Sequence, residues 1–255
     1  MRIAALSDIH GNLPALEAVL RDVEVERPDL IVVCGDVASG PMPAETIDVL
    51  RNLRNARFVR GNADRGLIDE FDDKAPAPMP GPFAGWCAGQ ISREQRDFLA
   101  SFEDTVTIDG VDGLGRVLFC HAVPRNDTDV FTGETPDDRV RELMSGVRAD
   151  VVVCGHTHMQ FDRNVDRLRI VNPGSAGMPY GRPGAYWAML GPDVEMRRTD
   201  YDRSEAAARM RAKGSADAEE FAHDNVLEVP SIEQAMAFMR DMEAKQIASA
   251  SQRSS

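Results

Sequence analysis

Four stretches of the chain run apolar and then stop on a residue that ligates metals: Ile3-Ala4-Ala5-Leu6-Ser7-Asp8-Ile9-His10, Leu30-Ile31-Val32-Val33-Cys34-Gly35-Asp36, Val117-Leu118-Phe119-Cys120-His121 and Val151-Val152-Val153-Cys154-Gly155-His156-Thr157-His158. Short Val- and Ile-rich runs bounded by glycine read as buried strands. Between the first two, Leu13, Leu16, Leu20 and Val23 recur at helical spacing behind Asn12 and Pro14, a helix start. Residues 2–34 are thus predicted to form a right-handed βαβ unit. A second helix is expected over 43–54, with Ile47, Leu50 and Leu53 inward. A short strand should follow at Arg57-Phe58-Val59-Arg60, broken by Gly61-Asn62-Ala63-Asp64.

Residues 72–85 carry Pro76, Pro78, Pro80 and Pro82, so they read as a loop: a surface connection by default, a flap over a site as the alternative. A helix is predicted from Ser92 to about 102, a hairpin over 104–109 and 115–120, a helix over 136–146 and a strand over 150–154. The next strands, at 160–165, 168–172, 184–190 and 193–198, suggest a second, more antiparallel sheet. From Asp202 the pattern turns helical, over 203–213, 216–224 and 231–244. Met236, Phe238, Met239 and Met242 are read there as a core-packing face rather than a binding stripe. The end, 247–255, lacks bulky residues and is expected to fray. The predicted organisation is a domain over 1–200, a helical extension over 201–246 packed on it, and a flexible tail over 247–255.

The 255 residues suffice for one large α/β domain, and 43% hydrophobic with 28% charged residues is ordinary for a globular chain. The start is too short an apolar run for a signal peptide, and no run approaches the roughly 18 residues that span a bilayer. These features predict a cytoplasmic protein. The net charge of −13 argues against nucleic acid polymers and anionic membranes as partners. Cys34, Cys87, Cys120 and Cys154 form no Cys-x-x-Cys pair and read as buried, reduced packing residues.

In open α/β sheets, ligands gather beyond the carboxyl ends of the strands. Of the five histidines, His10, His121, His156 and His158 stand at such ends. With Asp8, Asp36 and Asn62 they make seven candidate ligands, too many for one tetrahedral ion and suited to two ions sharing a carboxylate. Mixed imidazole and oxygen donors favour Mn, Fe, Zn, Co or Ni over Mg or Ca, with Mn placed first. Two such ions suit in-line displacement at phosphorus. Gly35, Gly61 and Gly155 are expected to make sharp turns that aim the following side chains.

Together, Asp8-x-His10, Gly35-Asp36, Gly61-Asn62-x-Asp64, His121 and Gly155-His156-x-His158 resemble the five blocks of the calcineurin-like metallophosphoesterase superfamily. Spacing, and Asn172-Pro173-Gly174-Ser175, are similar to its small bacterial phosphodiesterase branch. The resemblance implies an αββα sandwich of two mixed sheets flanked by helices. It implies that Asp8, His10 and His158 hold one ion, Asn62, His121 and His156 the other, and that Asp36 bridges them. The implied activity is a metal-dependent phosphodiesterase acting on a small nucleotide or similar phosphoester. The alternatives are a phosphomonoesterase and a non-catalytic metal-binding scaffold; a homo-oligomer stays open. Where the family commonly has Gly-Asn-His, with His as presumed general acid, this chain has Ala63. Asp64 then either takes part in catalysis or caps the next turn. Arg125 is named with Asp36, Asn62, Asp64 and His121 as a catalytic candidate; Arg65, Tyr180 and Arg182 are weaker ones, and His223 is read as a surface residue.

Overall fold

The computed structural model describes residues 1–75, 78–81 and 83–253. Two five-stranded sheets face each other. The first runs in the order β10-β9-β1-β2-β3, from β1 (Ile3–Leu6), β2 (Leu30–Val33), β3 (Ala56–Phe58), β9 (Ala185–Leu190) and β10 (Val194–Thr199). The second runs β4-β5-β6-β8-β7, from β4 (Thr105–Val111), β5 (Gly115–Cys120), β6 (Val151–Val153), β7 (Phe161–Val165) and β8 (Leu168–Asn172). In the first, β1, β2 and β3 are parallel, and β9 and β10 complete it antiparallel. In the second, β5, β6 and β8 are parallel between the antiparallel edges β4 and β7. The last four strands therefore divide between the sheets, where the sequence suggested one further sheet. The β7–β8 hairpin stays with β6, while β9 and β10 return to β1.

Period-two alternation makes the sandwich. Ile3 and Ala5 point, with Val32, Val117, Phe119, Val151 and Val153, into the layer between the sheets. Ala4 and Leu6 point the other way and meet Leu16 and Val19 of α1 (Leu13–Glu26) and Ile47 and Leu50 of α2 (Pro43–Arg51). Asn12 caps α1 by accepting from Ala15 N–H at 3.2 Å, as its position predicted. The same helical side carries α3 (Asn62–Phe71), α4 (Ala84–Ala88) and α5 (Arg93–Ala100). α6 (Asp137–Leu143), the loop before it with Val123 and Phe131, and Met144 and Val147 after it cover the outer side of the second sheet.

Three boundaries differ from expectation. The motif Gly61-Asn62-Ala63-Asp64 follows the end of β3, as expected, and is also the first turn of a helix not foreseen, α3, which the Asp64 carboxylate caps by accepting from Gly61 N–H at 2.9 Å. The proline-rich loop ends in α4 at Ala84; Pro76 and Pro82 lie outside the described residues. The final helix, α9 (Ile232–Arg253), continues through the residues expected to fray from Ile247, because Gln246 is pinned on both sides of its amide to the 128–130 loop; Ser254 and Ser255 lie outside the described residues.

The C-terminal helices pack in two places. α7 (Arg203–Arg211), α8 (Ala216–Phe221) and a π-helical turn (Ala222–Leu227) bury Ala206, Met210 and Phe221 against Leu13 and Met42. α9 instead buries Ala235, Met236 and Met239 against Val130 and Met159.

Candidate metal centre

The strand ends that carry the candidate ligands meet at one edge of the sandwich, β1 and β2 from one sheet, β5 and β6 from the other. Asp8, His10, Asp36, His156 and His158 all have left-handed backbone, with φ of 54°, 48°, 55°, 67° and 59°. Only a few per cent of non-glycine residues do so. Each costs on the order of 1–3 kcal/mol, which the surrounding structure must impose. Here it does so by zipping loops together. Asp8 N–H donates to Gly35 O at 3.0 Å, His10 N–H to Asp36 O at 2.9 Å, and Gly155 N–H to His121 O at 2.7 Å. Asn172 and Ser175 close the arrangement: Asn172 Nδ2 donates to Gly155 O at 2.7 Å and Ser175 Oγ to Asp8 O at 2.7 Å.

Of the three glycines expected to turn sharply, only Gly35 uses positive φ, at 91°. Gly61 and Gly155 act by close approach. A Cβ on Gly61 would lie 2.1 Å from Asp36 Oδ1, and one on Gly155 1.8 Å from Ser7 Oγ.

The ring orientations follow from backbone acceptors. His10 Nδ1 faces Ser39 O at 3.1 Å, His121 Nδ1 faces Cys34 O at 2.7 Å, and His158 Nδ1 faces Met178 O at 2.9 Å. A carbonyl only accepts, so each Nδ1 carries a proton and each Nε2 is the atom aimed inward. The Asn62 amide is set the same way: Nδ2 donates to Met79 O at 2.8 Å, which turns Oδ1 to face His121 Nε2 at 3.0 Å.

What results is a crowd of acceptors. His10 Nε2 and His158 Nε2 are 3.3 Å apart, His158 Nε2 lies 3.3 Å from Asp8 Oδ1, and His121 Nε2 lies 3.3 Å from Asp36 Oδ2. His156 Nε2 is buried with no hydrogen-bond partner. Two groups, Asp8/His10/His158 and Asp36/His121/His156, each hold their ligand atoms within 4.8 Å of one another. Asp36 Oδ2 reaches toward both, lying 3.8 Å from His10 Nε2. Buried acceptors without donors are costly, and a cation is what satisfies them. The donor set, imidazoles with carboxylates and one amide oxygen, fits divalent transition metals.

Charge within the cluster agrees. Burial opposes a proton on His121, yet the Asp36 carboxylate, together with Asp8, raises its pKa to about 10. Asp8 likewise raises His158 against burial. Burial, reinforced by His121, lowers His156 to about 4. The carboxylates thus draw positive charge to the centre, and in the bare protein protons stand in for it.

Of the two roles open to Asp64, its position is that of the cap. Fully buried behind the ligands, it accepts from Asp36 N–H at 2.8 Å, Gly61 N–H at 2.9 Å and Val37 N–H at 2.9 Å. It ties the Asp36 turn to the Asn62 turn, the capping role weighed for it, enlarged. Asp36 Oδ1 returns the link by accepting from Ala63 N–H at 2.8 Å. Burial, and next the Asp36 charge, push the Asp64 carboxyl up to about 7.

Ala63 is small for a visible reason. The 78–81 segment lies across the start of α3, so that a Cβ on Gly81 would come within 2.4 Å of the Ala63 Cβ, and one on Gly66 within 2.2 Å of Pro80 O. A larger side chain at 63 would have to displace that segment. The surface reading of this loop gives way to the flap: Met79 and Gly81 line the cavity above the centre.

The arginines are less committed than predicted. Arg125 lines a pocket beside His121 but is half exposed and paired with Asp129 at 2.7 Å, and Arg65 is paired with Asp127 at 2.8 Å. Tyr180 stacks on His158, with ring centroids 5.7 Å apart and planes at 22°. Arg182 lines a separate groove on the far side of that pair. His223 is exposed beside Asp224. All four cysteines are free and buried, and burial raises each thiol pKa, so none competes as a thiolate ligand. The α9 residues read as a core-packing face do pack, Met236 and Met239 against Val130 and Met159, but Phe238, Met239 and Met242 also line the cavity over the ligands. Their helical spacing was legible, but not the surface they face.

With fold and centre in place, the class follows. The family model for the calcineurin-like phosphoesterase superfamily domain matches residues 1–193, and the chain belongs to that family. The chain is 26% identical over 204 residues to phosphodiesterase YfcE of Escherichia coli K12, covering 76% of this chain and 89% of that one. It is 28% identical over 229 residues to the uncharacterized protein MJ0912 of Methanocaldococcus jannaschii, covering 80% and 89%. Among solved structures, a metallophosphoesterase from Sphaerobacter thermophilus superposes with a TM-score of 0.69 at 27% identity, covering 89% of this chain and 99% of that one. Family membership and the two buried Asp/His groups define a metal-dependent phosphoester hydrolase. Helices α7 to α9 lie past the matched residues.

Proposed function

We propose that the chain is a phosphodiesterase with a dinuclear centre. Asp8, His10 and His158 would hold one ion, Asn62, His121 and His156 the other, with Asp36 between them and Mn the metal of choice. The observation that carries this reading is the pair of buried acceptor groups that share Asp36. When bound, two such ions supply Lewis acidity and a hydroxide-like nucleophile at neutral pH. The chain does the positioning. Carbonyl acceptors facing His10, His121 and His158 fix the rings, and Asp64 and Ala63 N–H fix the Asp36 carboxylate. Met79 O holds the Asn62 amide by its nitrogen. No imidazole stands at position 63 to protonate a leaving group, which favours a substrate whose leaving group is itself weakly basic. The diester preference is drawn from the resemblance to YfcE. A cytoplasmic setting fits four unpaired cysteines.

The test is hydrolysis of bis-p-nitrophenyl phosphate and p-nitrophenyl phosphate by metal-stripped protein with Mn²⁺ titrated back. Mn-dependent cleavage, faster on the diester and lost in Asp36→Asn, is the expected result. Faster cleavage of the monoester would make the protein a phosphatase, and failure to take up metal would overturn the site.

A further inference from the structure

The segment that roofs the centre is not part of the family domain. Helix α9 begins well past residue 193, and one of its faces carries Ala235, Met236, Met239 and Met242 at three- and four-residue spacing. That face is buried against Val130, Met159 and Tyr180. Polar pins hold it there. Gln246 Nε2 donates to Thr128 O at 2.6 Å and its Oε1 accepts from Val130 N–H at 2.8 Å; Thr135 Oγ1 donates to Glu243 at 3.1 Å, and Arg240 pairs with Glu134 at 2.5 Å. At its other end, Gly181 N–H donates to Pro230 O at 2.8 Å, tying the helix start to the loop that carries Tyr180. These contacts seat the roof over the site.

Beneath it lies a cavity of about 200 Å³. Its floor is the candidate metal centre. Its walls are Met79, Met178, Tyr180, Phe238, Met239 and Met242, and no Lys, Arg, Ser or Thr lines it among the described residues. The volume falls below the roughly 300–1,000 Å³ typical of sites for drug-sized ligands. A nucleotide brings a sugar and a base edge that need several polar partners, and a second phosphate needs a cation; this wall offers one hydroxyl, on Tyr180, and no cation, the arginines lying in the pocket on the other side beside His121. Thioethers and aromatic rings instead suit a flat apolar group, which they contact by dispersion and by sulfur–ring packing.

We infer that α9 is a specificity wall, which restricts the centre to small phosphoesters whose organic group is apolar and flat, an aryl group above all, and turns nucleotides away. This rests on the phosphoesterase reading and names its substrate class. An aryl leaving group is also weakly basic, so the same substrates tolerate alanine at position 63.

The experiment is calorimetry on the Mn²⁺-loaded full chain with methylphosphonate, phenylphosphonate and thymidine 5′-monophosphate, which share a phosphoryl head. Phenylphosphonate should bind roughly tenfold more tightly than either of the others. In Met239→Ala/Met242→Ala that preference should shrink to less than threefold, with Mn²⁺ uptake unchanged. Phe238→Ala guards against a folding defect, because Phe238 is 56% exposed and its truncation empties no core; it should move the preference the same way. Equal binding of the three ligands, tightest binding of the nucleotide, no binding of any, or a preference that survives both variants would overturn the inference. If Mn-dependent hydrolysis persists and Asp36→Asn abolishes it, such a result removes the wall alone; if those fail too, the phosphoesterase reading falls with it.

Discussion

Asp64→Asn separates two accounts of a carboxylate that sits inside a catalytic motif. In the structure Asp64 touches no candidate ligand atom; it holds three backbone N–H groups, two on Oδ2 and one on Oδ1. Asparagine has one acceptor oxygen. Its best orientation keeps Asp36 N–H and Gly61 N–H and turns an NH₂ toward Val37 N–H, which strands a buried donor. That costs about 1–3 kcal/mol. The opposing term is relief of the like charge on Asp36, which with burial already lifts the Asp64 carboxyl to about 7. In metal-free protein near neutrality the two effects act against each other, so the thermal midpoint should barely move. With metal present the Asp36 charge is compensated and the lost acceptor dominates. Outer-shell substitutions of this kind lower metal affinity about 10–100-fold. That is about 1.4–2.7 kcal/mol, and at about 2–4 °C per kcal/mol it removes about 3–11 °C of the Mn²⁺-dependent gain in Tm. Calorimetric melts in EDTA and across a Mn²⁺ titration measure it. An unchanged Mn²⁺ midpoint with collapsed turnover and an altered pH–rate profile would refute the positioning role and make Asp64 a proton-transfer group.

Ala63→His, which restores the commoner family residue, should not raise activity. It crowds the 78–81 segment against α3 and should lower stability by about 1–3 kcal/mol, read by thermal melts beside turnover on the aryl diester; a gain in turnover with an unchanged melt would show that the flap yields. The bare centre should also show in pH. The His121 pKa is raised from 6.5 to about 10, so the stabilisation it brings is complete below about pH 6.5 and is lost as pH rises toward 10. Metal-stripped protein should therefore melt progressively earlier from pH 6.5 to 9.5, whereas with saturating Mn²⁺ the cation replaces the proton and that fall should vanish; parallel curves in the two conditions would contradict the cation site.

Elements set by local period were readable in the chain: α1 behind Asn12 and Pro14, the inward row of α2, the β4–β5 hairpin, and the strand ends with Asp8, Asp36, His121 and His156. The helix α3 was not, because its first turn is written in motif residues, Gly66 interrupts it, and its cap is a carboxylate whose other two partners, on Asp36 and Val37, lie 28 and 27 residues away. The left-handed backbone at Asp8 and His156 was equally hidden. It is imposed by contacts between loops from different sheets, such as His156 N–H donating to Asp8 Oδ2 at 3.1 Å across 148 residues. The methionine row of α9 shows the limit most sharply. Its period announced an apolar face, and apolar faces normally find a core; nothing local says that the surface it meets is the mouth of the metal centre. Placing it there takes the pins at Gln246, Glu243 and Arg240, each weak in sequence and meaningful only against the 128–135 loop. The chemistry of this centre was thus encoded locally, in ligand types at strand ends. How the centre is covered, by the 78–81 segment beside Ala63 and by α9, is a property of tertiary packing, and of the two only α9 lies past the residues that match the family domain.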